Sequence, residues 1–169
     1  MRQKPFSTTS LFFSIFDPKF LLNTLHRMAD ERVKIPRERE VSPCPCSREK
    51  SYAECCMLFH YGRAKPETAE QLMRSRYTAF FFRLIDYLVA TTHPDKREKK
   101  LAHKLDETIW DPSWRKLEII HKSKGGKEDK TGKVEFIATY SLQGQTHQLR
   151  EKSRFRRFKG KWMYLDGKG

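Results

Sequence analysis

"ETAEQLMRSRYTAFFFRLIDYLVATTHP", residues 67–94, decides the fold because it has the pattern of one long amphipathic helix. Thr68 and Gln71 have the spacing of a capping box, so the helix is expected to begin there. Pro94 lacks an amide hydrogen and is expected to end it. The apolar stripe of this helix recurs at helical spacing and consists of Leu72, Met73, Tyr77, Phe80, Leu84 and Leu88.

A second helix and a sheet are predicted to follow. Asp95 and Glu98 mark the start of this helix, and Asp111 and Pro112 stop it. Its apolar face consists of Leu101, Leu105 and Ile109. From Trp114 onward the apolar period changes to two, most clearly at Val134, Phe136, Ala138, Tyr140 and Leu142. Helices before a four-stranded antiparallel meander predict an α+β fold, with the helices gathered on one side of the sheet.

All four cysteines of the chain lie within "CPCSREKSYAECC", which begins at Cys44. One residue separates Cys44 from Cys46, and Cys55 is adjacent to Cys56, so neither pair forms an easy local disulfide. Bridges between the pairs need an oxidising compartment, and the C-x-x-C spacing of redox enzymes is absent. Two short thiol pairs joined by a polar loop suit a tetrahedral zinc site with a closed shell. His60 could substitute for one of the cysteines as a ligand, although four cysteines already complete the shell.

We therefore expect one structural Zn²⁺ per chain, held by Cys44, Cys46, Cys55 and Cys56. Disulfides or free thiols are the alternatives. A closed shell of four thiolates leaves no position for a reactive water, which is why a structural role is expected rather than a catalytic one.

The cysteine segment resembles a SEC-C motif, a small zinc-binding module, with Ser47 where the motif usually has glycine. The rest of the chain resembles the YchJ family, whose activity is uncharacterised. The resemblance rests on four strings that occur in the family's order: PETAEQLMRSRYTAF at 66–80, THP at 92–94, EKSRF at 151–155 and GKWMYLDG at 160–167. It implies that the four cysteines are the metal ligands. Many members carry a second SEC-C module after the last strand, so a role that needs two modules is not expected for this chain.

The resemblance also implies the domain organisation. A SEC-C module is expected over 41–65, followed over 66–169 by a nuclear-transport-factor-2-like or cystatin-like cone of helices on a curved sheet. Residues 1–40 are expected to be a disordered or mis-started extension and linker, with Met28 as the alternative start. The protein is expected in the cytoplasm, or in an organelle if residues 1–27 are a transit peptide. No stretch approaches the roughly 18 apolar residues that span a bilayer.

A cavity between the helices and the curved sheet is one candidate functional site. Alternation places Glu151 on the same face of the third strand as Ser153 and Phe155, and Trp162 and Tyr164 share a face of the fourth strand. Arg74 or Arg76 is expected to pair with a buried Glu151. Glu151 and His93, which is expected at the mouth, are the only candidates for catalysis. Nucleophile motifs, phosphate-binding glycine loops and a second metal cluster are absent, so the sequence favours a binding role over an enzyme.

Basic residues form the other candidate surface. The chain has a net charge of +14, and Arg150, Lys152, Arg154 and Arg156 alternate along the third strand, so they project together. Arg157, Lys159 and Lys161 follow them, and Arg48, Lys50, Arg63 and Lys65 surround the cysteine segment. We expect a zinc-binding adaptor that contacts an acidic protein, nucleic acid or the ribosome, and that forms a homodimer. The alternative is a small-molecule-binding protein or enzyme, which an enclosed polar cavity around Glu151 and His93 would favour.

Overall fold

The structure, a computed structural model, describes residues 35–47, 49–109 and 111–169. The predictions about residues 1–34, including the transit segment and the start at Met28, and about Arg48 lie outside these residues. The helices are α1 Arg37–Val41, α2 Cys56–His60, α3 Ala69–Phe82, α4 Ile85–Ala90, a 3₁₀ helix Pro94–Lys96 and α5 Leu101–Thr108. The strands are β1 Ser113–Lys124, β2 Thr131–Leu142, β3 Gln145–Phe158 and β4 Lys161–Lys168.

The start of α3 has the predicted cap. The Thr68 side chain accepts a 3.1 Å hydrogen bond from the Gln71 backbone amide, as in a capping box. In a capping box the side chain of Gln71 would accept in return from the amide of Thr68. Here it accepts instead from the amide of the preceding residue, Glu67, at 2.7 Å. Ala69 donates its amide to the carbonyl of Gly125 at 2.9 Å, which ties this helix end to the β1–β2 connection.

The prediction of one helix from Thr68 to Pro94 is wrong at Arg83. This residue adopts a left-handed conformation with φ of 59°, and its backbone ends α3. The amide of Leu84 donates to the carbonyl of Ala79 at 2.8 Å, the long bond of a Schellman cap. α4 then begins at Ile85, and a 3₁₀ helix starts at Pro94.

The sheet is the predicted antiparallel meander, with strand order β1-β2-β3-β4. Two-residue turns join β2 to β3 at Gln143 and Gly144 and β3 to β4 at Lys159 and Gly160, and all four residues have positive φ. Such turns match the right-handed twist of the strands that they join. Together with the helices, the sheet makes the expected α+β cone.

The core lies between α3 and one face of the sheet. Its buried members are Ala69, Leu72, Met73, Tyr77, Val134, Phe136, Ala138, Phe155 and Trp162. The α3 members follow helical spacing and the β2 members alternate, as the sequence pattern predicts. Burial of these apolar side chains provides the main favourable contribution to the stability of the cone.

A bulge interrupts the pairing of β3 with β4. Arg154 pairs with Asp166 and the next residue, Phe155, pairs with Tyr164, so that Leu165 has no partner on β3. Because one extra residue shifts the alternation of side chains, Tyr164 points toward the core side while Asp166 reaches the exposed Arg154.

Ile35–Gly169 forms one compact unit. The expected linker up to residue 40 differs from the structure in its last part, because Ile35 is buried beside the cysteines and Arg37–Val41 is helical. The expected boundary between the SEC-C module (41–65) and the cone (66–169) falls inside this unit. Within the described ranges, no helix combines the length and the apolar character that a membrane span requires.

Candidate metal centre and binding cavity

Local backbone contacts bring the two cysteine pairs together. The amide of Cys44 donates to the carbonyl of Lys50 at 2.7 Å, and the amide of Ser47 returns to the carbonyl of Cys44 at 3.3 Å, so the first pair lies in a tight turn. Cys55 precedes α2 and Cys56 is its first residue, which fixes the second pair at a helix start. The polar loop between the pairs folds back through this turn, as the spacing predicts.

The four sulfur atoms form a compact cluster. They all lie within 4.8 Å of one another, with 3.5 Å between Sγ of Cys46 and Cys55 and 3.9 Å between Sγ of Cys55 and Cys56. A tetrahedral zinc site with Zn–S bonds near 2.3 Å separates its sulfurs by about 3.8 Å. All four thiols are free rather than joined in disulfides. The cluster can therefore hold one metal ion.

Burial and hydrogen bonding distinguish the four thiols. Cys44, Cys46 and Cys56 are buried, and Cys55 is partly exposed. Hydrogen bonding with the neighbouring thiols, first that of Cys46, lowers the pKa of Cys44 far below its usual range. The interaction with Cys44 in turn raises the pKa of Cys46 and of Cys56. A bound divalent cation would displace these shared protons, because metal ligation requires thiolates.

The cysteine module is fastened to α3 of the cone. Arg74 donates from Nη1 to the carbonyl of Cys46 at 2.8 Å, and its Nε pairs with Glu70. The Sγ of Cys44 lies 3.8 Å from the hydroxyl of Thr78, which is fully buried. These contacts were not anticipated from the sequence, because they join residues about 30 positions apart. Arg74, one of two expected partners of Glu151, faces the metal module instead.

His60 is outside the sulfur cluster and has a structural position. Its Nδ1 lies 2.8 Å from the hydroxyl of Tyr52, and its Nε2 lies 2.9 Å from the carbonyl of Ser75. A carbonyl only accepts, so Nε2 carries the proton and Nδ1 accepts from Tyr52. Desolvation of the ring lowers the pKa of His60 to about 4, which keeps it neutral. His60 thus links α2 to α3.

The cone contains an open cavity of about 570 Å³. Its walls are mainly apolar and aromatic, and they include Tyr77, Phe80, Trp114, Phe136, Phe155 and Tyr164. Lys96 and Leu149 belong to the lining and are exposed, so they mark the mouth between the 3₁₀ helix and β3. This volume lies in the range of about 300 to 1,000 Å³ that is typical of small-ligand pockets.

Arg76 is the buried cation of this cavity. Its side chain lines the cavity although the residue is only 8% exposed, and its guanidinium lies 4.5 Å from the ring centroid of Tyr164. Nη1 donates to the carbonyl of Leu88 and the hydroxyl of Thr91, both at 2.7 Å, and to the hydroxyl of Thr92 at 3.5 Å. Desolvation lowers the pKa of Arg76 to about 10, while the charge of Glu151 acts in the opposite direction.

Glu151 lies in the same cavity wall as Arg76. Its carboxylate accepts a hydrogen bond from the hydroxyl of Ser153, which is buried. Burial raises the pKa of Tyr164 to about 12, and the charge of Glu151 adds to that shift. Arg76 and Glu151 are close enough to interact electrostatically, although no ion pair within 4.0 Å joins them among the described residues. The cavity therefore combines apolar walls with the buried cation of Arg76 and the carboxylate of Glu151, and Lys96 and Asp166 add one further charge of each sign to the lining.

His93 lies apart from this cavity. It is 2% exposed, and its ring nitrogens contact the guanidinium of Arg156 and the amide of Asp95. Its ring packs edge-on against Phe158 with centroids 5.4 Å apart. The residues that line the cavity include Glu151 but not His93. The arrangement suits closure of the turn at Pro94 more than contact with a ligand.

The basic row of β3 is exposed, and carboxylates accompany each of its members. Arg150 and Lys152 pair with Glu135, Arg154 makes a two-armed pair with Asp166, and Arg156 pairs with Asp95. Glu135 and Asp166 lie on the neighbouring strands, in register with the row. Much of the row's positive charge is therefore balanced within the fold.

Arg157 was expected in the basic surface, but its guanidinium is bound to backbone carbonyls of the fold. Its guanidinium donates to the backbone carbonyls of Glu67, Asp129 and Gly160, among others, and stacks 4.7 Å from the ring centroid of Trp162. Trp162 in turn donates from Nε1 to the carbonyl of Glu67 at 2.9 Å. Arg157 is thus a structural clamp between the start of α3 and two turns of the sheet.

Comparison with known proteins places these features in a family. A family model described as YchJ, middle NTF2-like domain, matches residues 68–167. A UPF0225 protein of Vibrio parahaemolyticus is 40% identical over 126 residues, which cover 75% of this chain and 74% of that protein. A UPF0225 protein of Streptomyces coelicolor is 44% identical over 125 residues, which cover 74% of this chain and 94% of that protein.

Two solved structures share the fold. The solution structure of a SEC-C motif containing protein from Rhodopseudomonas palustris matches with a TM-score of 0.68 and 30% identity, over 75% of this chain and 97% of that one. The crystal structure of a SEC-C motif containing protein from Psychrobacter arcticus matches with a TM-score of 0.67 and 26% identity, over 76% and 82%. The chain therefore belongs to the YchJ family (UPF0225), in which a SEC-C motif accompanies a nuclear-transport-factor-2-like domain.

Proposed function

We propose that this protein binds a small molecule in its cone and that a structural zinc ion stabilises the wall of the binding site. The observation that carries the proposal is the cavity of about 570 Å³, whose apolar walls hold the buried guanidinium of Arg76. A buried charge is costly unless its remaining donors find partners. A guanidinium that faces an open cavity is therefore more typical of a ligand-binding site than of a packed apolar core.

Zinc is the proposed metal because all four candidate ligands are soft cysteine sulfurs that lie within 4.8 Å of one another, as a tetrahedral site requires. Four thiolates complete the coordination shell, so the ion supplies folding energy and no catalytic water. One ion per chain is expected. Because thiolates are retained only under reducing conditions, the proposal also includes a reducing compartment such as the cytoplasm.

A second proposal is contact with an acidic protein or nucleic acid. It is supported by the side-chain exposure of the β3 row, which is 67% for Arg150, 53% for Lys152 and 49% for Arg154. The exposed Lys50, Arg63 and Lys65 near the cysteine module add to it. The carboxylates paired with the row weaken the argument, because a phosphate must compete with Glu135 and Asp166 for the same guanidinium groups.

The first experiment is a fragment titration followed by two-dimensional NMR on the full chain loaded with zinc. We expect aromatic fragments to shift amide resonances of cavity residues, and the Leu149→Trp variant to weaken this binding by narrowing the mouth. Ile120→Trp is the matched control, because Ile120 is an exposed strand residue outside the cavity lining. Fragments that leave every cavity resonance unchanged would contradict the proposal. Salt-sensitive binding of single-stranded nucleic acid would then favour the second proposal.

A further inference from the structure

We infer that the cavity takes a neutral amphipathic ligand, with a flat apolar body and a head group that presents an acceptor and a donor side by side. A carboxamide or a lactam has this head group. The inference rests on the proposed function, because it names the ligand class of the same cavity. Three features of the structure support it: the free donors of Arg76, the charge of Glu151 and the aromatic walls.

Arg76 requires an acceptor from the ligand. Within the part of the chain that the structure describes, all three of its hydrogen bonds leave from Nη1, toward Leu88, Thr91 and Thr92. Nε and Nη2 remain as donors of a residue that is more than nine-tenths buried and that lines the cavity. A guanidinium presents these donors as a planar fork, which suits a carbonyl or carboxyl oxygen.

Glu151 decides between a charged and a neutral head group. Its carboxylate accepts from Ser153 and faces the cavity beside Arg76, so these two charges oppose each other, and the lining residues Lys96 and Asp166 add one further charge of each sign. An anionic ligand would gain from Arg76 but be repelled by Glu151, and a cationic ligand would experience the reverse. A head group that offers its oxygen to Arg76 and its N–H to Glu151 satisfies both residues without adding charge.

The walls determine the body of the ligand. The ring centroid of Trp114 lies 5.8 Å from that of Tyr77 and 6.0 Å from that of Phe80. Phe155 packs edge-on against Tyr164, with centroids 5.9 Å apart. These rings surround a volume that is large enough for a bicyclic aromatic body. Aromatic rings prefer offset or edge-to-face contact with other rings, so a flat body is favoured.

Three probes with one naphthalene body test the head group: 2-naphthamide, 2-naphthoate and 2-naphthylmethylammonium. Each is titrated into the zinc-loaded full chain and followed through the amide resonances of cavity residues. We expect the dissociation constant of the amide to be about tenfold lower than those of both charged probes, as one hydrogen bond to a charged group provides. Equal affinities, or tighter binding of the carboxylate, would overturn the inference.

Glu151→Gln provides a second test of the head group, since it removes the negative charge and keeps the shape of the side chain. We expect the preference to move toward 2-naphthoate by about tenfold, because the lining then has the cations of Arg76 and Lys96 against the single carboxylate of Asp166. Glu135→Gln is the control, since Glu135 lies outside the cavity lining and pairs with Arg150. An unchanged ratio of affinities in Glu151→Gln would also overturn the inference.

The same titration separates failure of the inference from failure of the proposed function. If all three probes shift cavity resonances with equal affinity, the cone binds small molecules and the head-group assignment is wrong. If none of the probes shifts these resonances, the proposed function itself is wrong. Tight binding of the amide that Leu149→Trp abolishes supports both.

Discussion

Arg74 joins the metal module to the cone, because its Nη1 donates to the carbonyl of Cys46 at 2.8 Å across 28 positions of sequence. The neighbouring residue Ser75 accepts from His60 through its carbonyl, and Thr78 contacts Cys44. Other positions of the same helix line the cavity, namely Met73, Arg76, Tyr77 and Phe80. The two candidate sites thus share α3 as a common wall.

Loss of the metal is expected to destabilise the whole unit. Cys55→Ser changes the least buried of the four ligands, and we expect metal content to fall from one ion per chain to near zero. The midpoint of thermal unfolding should fall by about 10 °C, because a structural zinc site contributes several kcal/mol to folding. Elemental analysis and calorimetry measure the two effects. Ser47→Ala, beside the first cysteine pair, is the control and should keep its metal.

The bond from Arg74 to Cys46 is expected to contribute to stability beyond its ion pair with Glu70. Arg74→Met keeps the apolar stem and should lower the free energy of unfolding by about 1 to 2 kcal/mol, as loss of a partly buried charged hydrogen bond does. Lys122→Met is a matched control, because Lys122 pairs with Glu70 from the surface. It should cost less than about 0.5 kcal/mol. Equal losses in urea titrations would show that only the Glu70 pair matters.

Arg157 is expected to be more sensitive to substitution than the exposed basic row. Arg157→Lys removes the planar donors that reach the carbonyls of Glu67 and Asp129, so it should destabilise the chain by about 2 kcal/mol. Arg150→Lys keeps a cation beside Glu135 and should change stability by less than about 0.5 kcal/mol. Chemical denaturation of both variants measures the difference. A smaller loss in Arg157→Lys than in Arg150→Lys would refute the clamp.

Stability is expected to depend on pH through His60. Its pKa is lowered to about 4 in the folded chain from an ordinary value of 6.5, so between these values the unfolded chain binds more protons. Stability should therefore decrease as the pH falls from about 6.5 to 4, by at most about 3 kcal/mol from this group. His60→Gln should flatten the curve in that window.

The metal site also contributes to the pH dependence of stability, since thiolates take up protons in acid. Both proteins are therefore measured with zinc in excess, and the difference between them is attributed to His60. Parallel pH profiles of the two proteins would show that the ring does not titrate in the predicted way.

The elements that the sequence predicts well are those with local causes. Alternation predicts all four strands, and turns with glycine at Gly144 and Gly160 set the two short hairpins. The spacing of the thiols predicts their convergence, because a tight turn at Cys44 and a helix start at Cys56 need only local contacts. The sulfur cluster of the structure accordingly contains the four expected residues.

The features that the sequence does not predict depend on contacts between distant positions. The break after α3 occurs at Arg83, where a left-handed cap is usually marked by glycine, so the sequence carries no signal for it. Asp95 forms an ion pair with Arg156, which is 61 positions away. Asp166 pairs with Arg154 because the register of β4 places the two residues opposite each other. Charge balance on the basic row is therefore a property of the folded sheet.

The bulge at Leu165 places two side chains that are two positions apart on opposite faces of β4. Tyr164 stacks on Arg76 and Asp166 pairs with Arg154, two partners on different sides of the sheet that a regular strand could not supply from positions two apart. Deleting Leu165 would remove the bulge, and Asp166 would then follow Tyr164 directly, so that both side chains keep their present faces. Natural variation in this segment should accordingly tolerate loss of the residue at position 165 without loss of either contact.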